Sequence, residues 1–128
     1  MAEVIERARL RAVGTSREFE GYEHGDVGVT FILVNGAPGS GPRLHRHPYA
    51  EVFVIQEGQA TFTVDGRTLE ATAGQVVVVQ PGEAHRFVNS GSGPLRQIDI
   101  HASPRFITEW LEVAADEALP VAEDARRA

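Results

Sequence analysis

None of the 128 residues is cysteine. That excludes disulfides, thiolate nucleophiles and cysteine-held clusters, so any bound metal must be held by nitrogen and oxygen. Positive charge is also scarce: Lys+Arg 12 against Asp+Glu 18 leaves a formal charge of −6. Without a net positive field to attract phosphates, nucleic acids and anionic membranes are poor partners, and small molecules are the expected ones. No apolar run approaches the roughly 20 residues that span a bilayer. The N-terminal stretch lacks a continuous apolar segment of the secretory kind, so the expected location is the cytoplasm. Aromatic residues make up 7% and Met and Trp occur once each, yet the hydrophobic share is 42%. Val and Ile supply much of it, and β-branched residues favour a half-buried pleated surface over a helical bundle. The length suits one domain over residues 1–128.

What is present is a series of short β-type runs punctuated by Gly and Pro: VGVTFILVN from Val27, EVFVIQE from Glu51, QATFTV, RTLEAT, QVVVVQ, HRFVNS and LRQIDIHA. Such spacing predicts an all-β sandwich or barrel with its core over about 18–102. Asp65-Gly66 predicts a type I′ hairpin, which needs positive φ at both central residues. The runs 52–55 and 76–79 are apolar on both faces, as expected of strands covered on both sides, one cover being a partner subunit in a homodimer. Residues 1–18 fit either a helical stripe or a strand edge. Ser103-Pro104 resembles a helix start, and Phe106, Ile107, Trp110, Leu111 and Ala114 recur at helical spacing. This predicts a C-terminal α-helix over about 104–118, packed on the barrel.

Two segments carry chemistry. His45, His47 and Glu51 share parity, so an extended strand would present them on one face. If a second strand carrying His85 lies beside it, His85 completes a set of three imidazoles and one carboxylate. Such a set suits one divalent transition metal (Fe, Mn, Ni, Cu or Zn), with positions left for water or substrate. The competing reading is that these are core histidines satisfied by hydrogen bonds.

These residues bring a resemblance into view. Gly39, His45, His47, Glu51 and Gly58 match the pattern G-x5-H-x-H-x3-E-x6-G, the first motif of the cupin superfamily. Gly74, Gly82, His85 and Asn89 match its second, G-x5-P-x-G-x2-H-x3-N, with Gln80 at the proline position and Pro81 displaced by one. The chain thus resembles a small single-domain cupin. The resemblance implies a double-stranded β-helix, or jelly roll, whose mouth holds a metal through His45, His47, Glu51 and His85. It implies no particular reaction.

Same-face neighbours of the ligands nominate Phe53, Ile55 and Phe87 as pocket residues, with packing as their commoner use. Tyr49 and Arg43 flank the ligands and are placed to reach a substrate carboxylate or hydroxyl, or else lie on the surface. Leu95, Gln97, Asp99 and His101 occupy one face of the last long run. Facing inward, Asp99 and His101 would be a catalytic acid/base pair near the metal; facing outward, they would be merely solvated. His24 has no evident role. The expected function is a metal-dependent enzyme acting on a small organic molecule, of oxygenase or isomerase type. A non-catalytic binding or sensing module is the alternative, weakened as a direct regulator by the lack of an attached DNA-binding domain.

Overall fold

The computed structural model describes residues 2–112. Eleven strands form two antiparallel sheets. In chain order they are β1 (Arg11–Val13), β2 (Ser16–Glu20), β3 (Thr30–Gly36), β4 (His45–Arg46), β5 (Glu51–Glu57), β6 (Gln59–Val64), β7 (Arg67–Thr72), β8 (Val76–Val79), β9 (His85–Asn89), β10 (Leu95–His101) and β11 (Glu109–Trp110). One sheet has the order β1-β2-β3-β10-β5-β8 and the other β11-β4-β9-β6-β7. Facing each other, they make the jelly roll of a double-stranded β-helix. The seven long β-type runs of the sequence are strands at nearly the expected bounds. Within residues 1–18, ambiguous by pattern, the chain forms a short 3-10 turn at Arg7–Arg9 and then enters the β1–β2 hairpin at the sheet's edge.

Period-2 burial explains the layering, because each long strand turns alternate residues inward. β6 buries Ala60, Phe62 and Val64, and β10 buries Leu95, Gln97, Asp99 and His101. Phe53, Ile55, Ala60, Phe62, Val64, Ala71, Val79, Phe87 and Leu95 form the apolar core. Asp65 and Gly66 both have positive φ (47° and 81°), as the type I′ turn requires. Gly58 sits at φ 90°, where a Cβ would lie 2.4 Å from the Pro94 carbonyl oxygen, so the first motif ends on glycine for steric reasons. Asn89, at the end of the second motif, donates from Nδ2 to the Gly36 and Gly93 carbonyls and accepts from Gly91 N–H, tying two loops together.

The C-terminal helix is not formed over residues 104–112; the rest of its expected span, 113–118, lies outside the described residues. Instead the chain crosses the barrel mouth as an extended strap, and β11 pairs with β4, Trp110 opposite His45 and Glu109 opposite Arg46. The helical spacing of apolar residues misled because β4 offers unpaired backbone groups that a strand can satisfy and a helix cannot. The apolar runs 52–55 and 76–79 also behave unequally. Val52 and Val54 are half-buried, whereas Val76 and Val78, on edge strand β8, are 56% and 54% exposed.

Candidate metal centre

β4 and β9 set His45 directly opposite His85. β5 and β10, in the other sheet, set Glu51 opposite His101. The shared-parity picture of one continuous strand carrying His45, His47 and Glu51 is therefore corrected. β4 stops at Arg46, the chain passes from one sheet to the other around Pro48, and Glu51 opens β5. Burial between the sheets, rather than a common strand face, brings the four side chains together. Each is at least 98% buried, and their ligand atoms all lie within 4.8 Å of one another. His45, His47, Glu51 and His85 form a metal-binding cluster.

The donor set fits a divalent transition metal on two further observations. First, the Nδ1–H of each ligand imidazole donates to a backbone carbonyl: His45 to Arg43 (2.6 Å), His47 to Ile107 (2.8 Å) and His85 to Glu83 (2.9 Å). The proton is thereby placed on Nδ1, and Nε2 presents a lone pair, as metal-ligating imidazoles require. Second, His47 Nε2 is buried with no hydrogen-bond partner among the described residues, although Glu51 Oε1 lies 3.1 Å away out of alignment. A buried orphan nitrogen is costly unless something else engages it.

The electrostatics divide the imidazoles. Burial, and then the nearby His85, lower the pKa of His45 from 6.5 to about 3. Burial also works against the charged form of His85, but its contact with Glu51 Oε1 at 3.1 Å outweighs burial and raises it. Burial alone would raise Glu51; the neighbouring His101, and after it His47 and His85, hold it well below the usual carboxylate range. Asp99 goes the other way, raised by burial and by the Glu51 charge despite the 2.8 Å hydrogen bond it accepts from Gln97 Nε2.

Asp99 and His101 both point inward, but their hydrogen bonds go elsewhere than to each other: Asp99 to Gln97, His101 Nδ1 to the Tyr49 hydroxyl at 2.7 Å. Tyr49 also stacks on His47 with ring centroids 4.9 Å apart. Phe53 and Ile55 are in the apolar core. Phe87 belongs to the core and also lines a cavity of about 350 Å³, with Asp99, Glu18, Ile32, Val34 and Ser40 among its other walls. Arg43 donates to the Glu112 carbonyl and covers the Trp110 ring, so it braces the strap. His24 stacks on Phe19, away from the centre.

Sequence reasoning missed the strap's part in the site. Ile107 contributes backbone groups, which no side-chain pattern reports, and the Trp110 ring packs at a 47° tilt against His45 with centroids 4.9 Å apart. It also missed the cavity wall from β2 and β3. Glu18, Ile32 and Asp99 are cross-strand neighbours there, an adjacency that exists only once the sheet order is known.

A Cupin_2 model, described as a cupin domain, matches residues 32–101. The chain belongs to this family. Curated relatives include the polyketide synthase CurC of Streptomyces cyaneus, 32% identical over 90 residues, covering 70% of this chain and 58% of CurC. The HTH-type transcriptional regulator PuuR of Escherichia coli is 29% identical over 100 residues, covering 66% of this chain and 54% of PuuR. The chain thus spans little more than half the length of these curated relatives. Among solved structures, a tryptophan-to-tyrosine variant of Bacillus subtilis oxalate decarboxylase superposes with TM-score 0.68 at 27% identity, covering 75% of this chain and 27% of that one. A second structure of that enzyme, from work on its Mn(II) centres, gives TM-score 0.68 at 26% identity and covers 80% of this chain and 29% of that one.

Proposed function

We propose that this cupin is a metal-dependent enzyme acting on a small organic molecule, through oxygenase or isomerase chemistry. The observation that carries this reading is a complete buried ligand set in a barrel that also holds a cavity, although none of the four ligands lines that cavity. Asp99 and Phe87 line that cavity, and each lies two residues along its strand from a centre histidine, His101 and His85. A volume of about 350 Å³ is at the small end of ligand pockets. A bound metal would supply Lewis acidity and open positions for a substrate oxygen or dioxygen. Asp99 and His101 are proposed as the catalytic side chains. With its pKa raised, Asp99 is suited to hold a proton facing the cavity, although a cation beside Glu51 would offset part of that shift. Ile32, Val34 and Phe87 would seat the apolar part of the substrate.

To test this, a metabolite extract is incubated with iron- or manganese-loaded protein and followed by mass spectrometry. Loss of one compound with gain of a product is expected, and Asp99→Asn should slow it by about 10²–10⁴-fold with metal content unchanged. Retention of an unaltered compound, with no product, would instead favour the second reading, a metabolite-binding or sensing module working in the cytoplasm. The likeness to PuuR over 100 residues speaks for that alternative.

We further propose a homodimer. Val76, Val54 and Ile98 lie in register across β8, β5 and β10, as do Val78, Val52 and Ile100. Together they make an uncharged apolar face, and the same face of a second copy would cover it without stranding a charge. Light scattering showing a 13.9 kDa species alone would overturn this.

A further inference from the structure

The four histidines at the mouth each have Nδ1 tied down, and His47, His85 and His101 set Nε2 3.1 Å from Glu51, yet their Nδ1 partners differ in kind. His45, His47 and His85 face carbonyl oxygens, which only accept. His101 Nδ1 faces the Tyr49 hydroxyl at 2.7 Å. That hydroxyl oxygen already receives the Ile107 N–H at 3.2 Å, and among the described residues His101 Nδ1 is the acceptor in reach of its own hydrogen. Nδ1 of His101 is therefore an acceptor, and the ring hydrogen sits on Nε2. Such a nitrogen has no lone pair for a metal. It has a hydrogen to donate, is fully buried, and has no aligned hydrogen-bond partner among the described residues; Glu51 Oε2 lies 3.1 Å away.

We infer that His101 is not a further metal ligand but a fixed hydrogen-bond donor, whose Nε2–H serves an anionic oxygen of a small molecule bound at the metal centre. The ligand class is a compact organic anion with a carboxylate or enolate oxygen. A buried donor of set direction, beside three lone-pair nitrogens, distinguishes such an oxygen from a neutral or amine donor group. Tyr49 and the Ile107 N–H are positioning groups that keep His101 in the tautomer opposite to its three neighbours. The binding role rests on the metal-site reading, whereas the tautomer assignment does not.

The first measurement is a two-bond ¹H–¹⁵N imidazole correlation spectrum of the zinc-loaded full chain. His45, His47 and His85 should carry hydrogen on Nδ1 and His101 on Nε2. A His101 spectrum with hydrogen on Nδ1, or with zinc-bound Nε2, overturns the inference. Tyr49→Phe should release the constraint and mix or invert the His101 tautomer. An unchanged His101 spectrum in that variant would overturn the part assigned to Tyr49.

The second measurement titrates cobalt-loaded protein with acetate, followed by visible absorption. His101→Phe should weaken acetate by about 10- to 100-fold with full cobalt content, and His101→Gln, which keeps an N–H donor, should recover most of the loss. Equal acetate affinity in His101→Phe, or cobalt loss as severe as in His47→Ala, would refute the binding role. If the chain takes up neither metal, the metal reading fails, and the same spectrum of the metal-free chain still decides the His101 tautomer.

Discussion

The two ends of the barrel interior are built on the same strands and differ in almost every physical respect. Along β5 the inward residues run Glu51, Phe53, Ile55; along β9, His85, Phe87, Asn89; along β10, from its far end, His101, Asp99, Gln97, Leu95. At the Phe62 end, aromatic and branched side chains interdigitate and remove apolar area from water, stabilising by roughly 25 cal/mol per Å². At the His45 end, charged and polar groups are buried as deeply with incomplete partners, a cost the fold bears rather than a source of stability. One end holds the barrel together. The other is held by it.

That contrast is broken if core substitutions and ligand substitutions act alike. Phe62→Ala should have the largest effect, lowering unfolding free energy by about 3–5 kcal/mol while the folded fraction still binds metal; denaturant titration alongside elemental analysis separates the two. His47→Ala or His85→Ala should reduce zinc affinity by more than about 100-fold, beyond what loss of an outer partner causes, and leave the metal-free unfolding midpoint near that of the parent. A large drop in that midpoint would mean the imidazoles are structural.

Trp110→Ala tests the strap, which lies between the two regimes. Loss of its packing against the His45 ring should weaken zinc by about tenfold and lower the thermal midpoint slightly. Affinity should also depend on pH with a definite sign. His85 has a raised pKa, so it still holds part of a proton just above 6.5, and metal must displace it. His45, lowered to about 3, has none to give. Zinc affinity should therefore rise with pH from 6.5 upward and level off once pH exceeds the His85 value. Calorimetry in two buffers of different ionisation enthalpy reads the released proton, and a flat profile would contradict the assignment. The smallest effect is expected on the outside: Arg46→Ala breaks the exposed contact with Glu109 and should leave the thermal unfolding midpoint essentially unchanged.

Much of this was legible in the chain. Alternation along QATFTV and LRQIDIHA located β6 and β10 because strand period is a local property, and Asp65-Gly66 placed its hairpin because positive φ is a residue-level demand. The ligands were nominated by spacing and assigned by the resemblance to the cupin motifs, although the strand picture behind that spacing failed at Pro48, where the chain changes sheets. The direction of the Asp99–His101 face stayed open in sequence, since alternation separates two faces without saying which is inward.

Sequence by itself thus determined the seven long strands and the turn chemistry, set by residue type and short-range spacing, and with the cupin motifs it named the metal donors. Tertiary structure alone decided that 104–112 is a strap, that Ile107 backbone groups serve both His47 and Tyr49, and that His101 meets a hydroxyl where its neighbours meet carbonyls. Those outcomes depend on which backbone groups lie opposite one another across two sheets, and pairing partners 50 or 60 residues apart leave no mark on local pattern.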